Sequence, residues 1–124
     1  MAAMTTERVV NGAKGFLTYQ RGVDEDTITI SELEDGTPVI IFVDPENGDV
    51  VLSIVRWSEE GIPSEKIPRD LMEKKMAMHL MANEFDAPVE VRFDAIDFHV
   101  LGDGSDGKGR ALLRHHINIS GVGE

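Results

Sequence analysis

The chain contains no cysteine, so disulfides and thiolate metal sites are excluded, and the cytoplasm is the default compartment. Long hydrophobic stretches are missing too. The longest fully apolar run, Val39 to Val43, is far too short to cross a bilayer, and no membrane role is expected. The N-terminus lacks the basic, apolar, then small-residue order of a secretory signal. Residues 1–6 read instead as a disordered stretch, a vector-derived leader or an alternative start. Cations are scarce: 12 Lys and Arg stand against 23 Asp and Glu, a net charge of −11. Such a chain repels polyphosphate unless its cations cluster, and no window combines a dense Lys/Arg run with interleaved aromatics. Non-specific nucleic-acid binding is therefore disfavoured, and a basic partner is easier to accommodate. At 124 residues the whole chain, 1–124, is expected to form one domain around one core.

What is present is a pattern of elements. Val9, Val10, Ala13, Phe16 and Leu17 fall at helical spacing within residues 7–21, with Gly12 and Gly15 weakening the helix and Gly22 ending it. "DTITISELEDG" alternates through Ile28 and Ile30 as a half-buried strand. "TPVIIFVDPENGDVVLSIVRW", residues 37 to 57, reads as two strands rich in β-branched residues around a tight turn, apolar enough to be covered on both faces. A helix is expected from Ser64 or Pro68 to about Phe85. Ile67, Leu71, Met78, Met81, Ala82 and Phe85 mark one face of it, and Met72, Met76 and Leu80 a second. Methionines adapt to varied shapes, so this helix 68–85 serves either as core filler or as the contact for a homodimer or another partner.

"PVEVRFDAIDFHVLG" reads as a long strand. Its apolar phase changes at Ala95–Ile96, which predicts a bulge or bend there. "ALLRHHINIS" is the last strand, with Ala111, Leu113, His115, Ile117 and Ile119 on one face. The order helix, three strands, helix, two strands gives an α/β fold with a mixed sheet of about five strands and two helices.

Several of these pieces resemble one family in order. "AKGFLTYQRG", "GTPVIIFVDPENGDVVLSIVRWSEEGIPSEKI", "VRFDAIDFHVLG" and "ALLRHHINI" are similar to segments of the YraN-like group of small proteins with a restriction-endonuclease-like fold, over roughly residues 10–120. The resemblance implies a Gly-Glu-x-Asp segment on one hairpin strand and an acid-x-Lys on the next. Those carboxylates would hold magnesium or manganese beside a scissile phosphate. This chain departs at each implied position: Thr37 and Val39 stand for the first two acids, Ile54 for the third, Arg56 for the lysine, and the helix glutamate falls near Val10. Val and Ile offer a metal no lone pair. Shifting the alignment by two residues brings in Asp35 and Ser53, which do not restore the set. The expectation is a catalytically degenerate, apolar site with no catalytic residue, no metal ligand and no cofactor.

Other candidates are weaker. Asp44, Glu46 and Asp49 at the hairpin tip lack a full calcium-loop ligand set and read as a solvated turn. Asp103 and Asp106 sit in "GDGSDGKG", but Lys108 is followed by Gly109, unlike a phosphate-binding loop. His115 and His116 are adjacent and so point to opposite faces of a strand, His115 as a hydrogen-bonded, half-buried side chain. A His99–His116 site with Asp97 depends on strand register. Ser53 and Ser120 lack a nucleophile elbow. Arg92 and Asp94 read as members of a cross-strand ion pair.

Three functional readings follow. The first is nucleic-acid contact through Arg56, Trp57, Arg92 and Arg114, with Arg56, Trp57 and Arg92 brought together on neighbouring strands. The second is a protein-interaction module using the Met-rich helix or a strand edge. The third is a nuclease with a rearranged site.

Overall fold

Helix α1 (Thr6–Gln20) begins where the Thr5 hydroxyl accepts a hydrogen bond from the Arg8 amide at 3.2 Å. It stops at Gly22, whose φ of 70° is left-handed, and the Val23 amide turns back to the Leu17 carbonyl. The computed structural model describes residues 5–58, 67–83, 89–103, 109–117 and 119. Thr5 and Thr6 thus belong to the helix and not to a disordered leader. Ser64, Phe85, Asp106, Lys108, Ser120 and the side chain of Asp103 lie outside the described residues.

The strands are β1 (Thr29–Glu32), β2 (Pro38–Val43), β3 (Val50–Ser58), β4 (Val91–Asp103) and β5 (Gly109–His116), with helix α2 (Arg69–Ala82) between β3 and β4. They form one five-stranded sheet in sequence order, with β1–β2, β2–β3 and β4–β5 antiparallel and β3–β4 parallel. The fold is therefore α/β with a mixed sheet and two helices, as the element order predicts. In the β2–β3 turn, Gly48 takes φ 78° and its amide reaches the Asp44 carbonyl.

One helix covers each sheet face. Val9, Val10, Ala13 and Leu17 of α1 meet Ile40, Phe42, Val51, Val55, Ile96 and Phe98. A methyl group at Gly12 would stand 3.5 Å from the Phe98 ring, an ordinary packing distance, so the α1–sheet contact leaves room for alanine there. On the other face Met72 and Met76 meet Val39, Ile41, Val50, Leu52, Ile54, Phe93 and Ala95. The hairpin is thus buried on both faces, as its continuous apolar character predicts.

Three expectations need correction, and the choice between the two apolar rows of α2 is decided. No bulge occurs at Ala95–Ile96. The register against β3 runs unbroken from Val91 to His99, and the shift lies between Val100 and Gly102. The apolar phase changes because β4 is covered from both sides, Phe93 and Ala95 facing α2 and Ile96 and Phe98 facing α1. In α2 it is the Met72/Met76 row that reaches the core, while Met78 and Met81 are 55% and 87% exposed. Strand β1 is mostly exposed, and Ile30 is not half-buried but open to solvent. Ile119 does not share a face with Leu113 and His115: β5 ends at His116, the Ile119 amide donates to the Phe93 carbonyl, and its side chain enters the α2-side core.

The two methionine rows of α2 give a direct test. Met76→Ala is expected to lower unfolding free energy by about 2–5 kcal/mol and Met81→Ala by no more than about 0.5 kcal/mol in urea titrations. Equal losses would contradict the assigned face.

Candidate functional site

Of the positions that the family resemblance implies for metal ligands, two come together, and as hydrocarbon. Val39 and Ile54 are directly paired across β2 and β3, both fully buried beneath Met72 and Met76. Thr37 sits just before β2, where the Asp35 carboxylate accepts its amide hydrogen at 2.9 Å and its carbonyl accepts from Leu33. Asp35 therefore shapes a turn. Val10 belongs to the core on the opposite face, and Ser53 is buried, donating to the Ile54 carbonyl at 3.2 Å.

Charged side chains do enter the sheet, at two places. The first is on the α1 face, at the end of β4 near the β2–β3 turn. Arg92 donates through Nε and Nη2 to both Asp94 oxygens at 2.9 and 3.0 Å, and through Nη1 to Asp44 Oδ2 at 2.7 Å. Asp49 Oδ2 lies 3.8 Å from the same Nη1. The turn holds Asp44 for this contact, since its Oδ1 accepts the Glu46 amide at 2.8 Å. Asp44 is thus not a merely solvated tip residue. Asp94 Oδ2 also faces His115 Nε2 at 2.9 Å. The other ring nitrogen, Nδ1, faces Arg21 at 3.3–3.4 Å, and the Phe16 ring meets the imidazole edge-on. This network assigns the neutral tautomer, with Nε2–H donating to Asp94 and Nδ1 accepting from Arg21.

Burial opposes the charge of Arg92, yet the hydrogen bonds and charges of Asp94 and Asp44 outweigh it and raise its pKa. Burial likewise pushes the Asp44 carboxyl up. The Arg92 and Glu46 hydrogen bonds and the Arg92 charge more than reverse this, leaving it below its ordinary 3.8. A cavity of about 40 Å³ adjoins the network between Arg21, Arg92, His115, Asp44, Leu17 and Phe42, room for about three waters.

The second place is on the α2 face at the other end of β3. Arg56 grips Asp97 with Nε to Oδ1 at 2.8 Å and Nη2 to Oδ2 at 2.7 Å, and His116 Nε2 lies 3.2 Å from Asp97 Oδ2. Register thus joins Asp97 to His116. His99 instead stands opposite Leu112, two residues further along β4. His115 and His116 do point to opposite faces.

The four nucleic-acid candidates are not assembled into one surface. Arg56 and Arg92 occupy opposite sheet faces, and Arg92 stands opposite Val51, about 16 Å of strand away from Arg56. Trp57, 36% exposed, shares neither the face nor the contacts of Arg56. Arg114 is exposed on β5 opposite Asp97. Among the described residues no three His, Asp or Glu side chains are grouped to hold a metal ion, and no helix is long and apolar enough to cross a membrane.

Sequence reasoning missed Arg21 and the centrality of Asp94. The available signal was two aspartates, Asp94 and Asp97, inside an otherwise apolar strand. Charges there require partners. Compared with protein-family models, curated proteins and solved structures, the chain has no match in any of the three.

The first network sets an acid limit. Asp44 has a depressed folded-state pKa, so its contribution is complete above the unfolded value of 3.8 and is lost as pH falls through the folded value. Urea midpoints are expected to drop below about pH 4, less steeply in Asp44→Asn. Asp94→Asn removes the buried carboxylate that Arg92 grips at two points, leaving Asp44 as its remaining close partner, and is expected to cost about 3 kcal/mol at neutral pH. A change under 1 kcal/mol, on the order of an exposed ion pair, would refute the network.

Proposed function

We propose that the chain is a non-catalytic protein of restriction-endonuclease-like architecture, a degenerate relative of the YraN-like group, that acts in the cytoplasm through contact with a protein partner. The observation that carries this reading is the Val39–Ile54 pair. Two neighbouring strand positions where hydrolysis would need carboxylates hold fully buried aliphatic side chains. A hydrated magnesium ion, which demands six oxygens and dehydrates reluctantly, has no place among them. The order of helix, three antiparallel strands, helix and a parallel fourth strand supports the fold assignment.

Protein contact is favoured over nucleic-acid contact on charge and geometry. The net charge is −11, and both Arg56 and Arg92 are engaged with aspartates. Breaking either pair to reach a phosphate would leave a buried carboxylate uncompensated.

Plasmid and branched DNA incubated with manganese are expected to remain intact, and labelled duplex is expected to run unshifted even in low-salt gels. Chelator-sensitive cleavage would establish a rearranged nuclease site. A salt-sensitive shift, lost on Arg114→Ala, would restore the nucleic-acid reading.

A further inference from the structure

Both edges of the sheet are open among the described residues: β1 pairs only with β2, and β5 only with β4. The two edges differ in a way the chain as a whole conceals. Residues 24–35, which contain β1 and its flanks, carry six acids (Asp24, Glu25, Asp26, Glu32, Glu34 and Asp35) and no Lys or Arg. Residues 109–116, which are β5, carry two Arg and two His and no acid. Glu25 and Glu34 pair with Lys14 and Lys74, and His115 and His116 turn onto Asp94 and Asp97. What remains in the open is an excess of acids along the β1 edge and Arg114 on the β5 edge, on opposite sides of a five-stranded sheet.

Strand β5 is also long for an unprotected edge. It has eight residues, its Leu112 is 56% exposed, and Ile117 just beyond it is 47% exposed. An edge of this length with an apolar side chain outward is a template for another strand. On β1, Ile30 offers an exposed apolar counterpart.

Resting on the protein-contact reading above, we propose that the partner is a second copy of this chain, with β5 of one copy adding to β1 of the next. Charge decides the pairing mode. A symmetric β5–β5 contact is antiparallel and brings two strands that both carry Arg114 and no acid side by side, and a symmetric β1–β1 contact does the same with Glu32. Like charges at a strand pair are destabilising. Only the head-to-tail contact opposes unlike edges. Such a heterologous contact uses different surfaces on the two copies, so it leaves one edge of each kind unfilled and continues into open chains or a ring. The net charge of −11 limits the strength of this association. At physiological ionic strength the screening length is about 8 Å, so charges beside the contact outweigh those across the molecule.

Sedimentation equilibrium of the full chain over a wide concentration range at physiological salt tests this. The weight-average mass is expected to rise continuously past the dimer. Arg114→Glu is expected to weaken association several-fold, whereas Lys75→Glu on α2, which makes the same change in net charge, leaves it in place. Glu32→Lys gives the decisive sign. It moves the net charge from −11 to −9, so general repulsion alone predicts tighter association, and the edge contact predicts weaker association. The Glu32→Lys/Arg114→Glu double variant is expected to regain what each single variant loses. A monomer at every concentration, a mass that stops at the dimer, or stronger association in Glu32→Lys would overturn the proposal. None of these outcomes touches the non-catalytic reading, which fails through manganese-dependent cleavage, or the preference for a protein over a nucleic-acid partner, which fails through DNA binding.

Discussion

The constraint on which the structure depends is the two-sided burial of β3. Every residue from Val50 to Val55 is buried, alternate side chains going under α1 and α2. A strand in this position cannot also present a wet cleft. Water and a hydrated metal would have to enter the layer that holds Val39, Leu52 and Ile54 against Met72 and Met76. Five or six methylene-rich side chains in contact give up far more on wetting than a weakly held divalent ion returns. The same burial fixes register, because a slip of one residue would send each apolar side chain of β3 to the other face.

Two-sided burial also explains where charge is tolerated. Asp94 and Asp97 enter the sheet three residues apart and so on opposite faces, and each meets an arginine with two-point geometry. Arg92 draws in the β2–β3 turn through Asp44, and His115 draws in α1 through Arg21. These contacts tie the connections and the last strand to the centre. They engage two of the few cations in an already acidic chain.

The legible part of the fold was the part set by local chemistry. A continuous apolar run of β-branched residues around "DPENGD" has few alternatives to a buried hairpin, and Gly22 and Gly48 sit where left-handed backbone is needed. That Val39 and Ile54 offer a metal no lone pair could be read from residue type alone. What stayed hidden depended on register and on which side a neighbour lies. The phase change at Ala95–Ile96 looks like a bulge in one dimension and is simply a strand covered twice. Both rows of α2 are apolar, so only the sheet beneath selects Met72 and Met76. The full partnership of Arg92 was hidden because Asp44 and Asp49 reach it from the β2–β3 turn, far from Asp94 in sequence.

The central claim, that the hairpin has no metal centre, is tested most directly by adding manganese to isotope-labelled protein and following its amide resonances. The account predicts that any broadening is confined to surface carboxylates such as those of residues 24–26 and 32–35, with Val39, Ile54 and Arg56 unaffected at low metal ratios. Selective loss of the Val39 and Ile54 signals at substoichiometric manganese would contradict it.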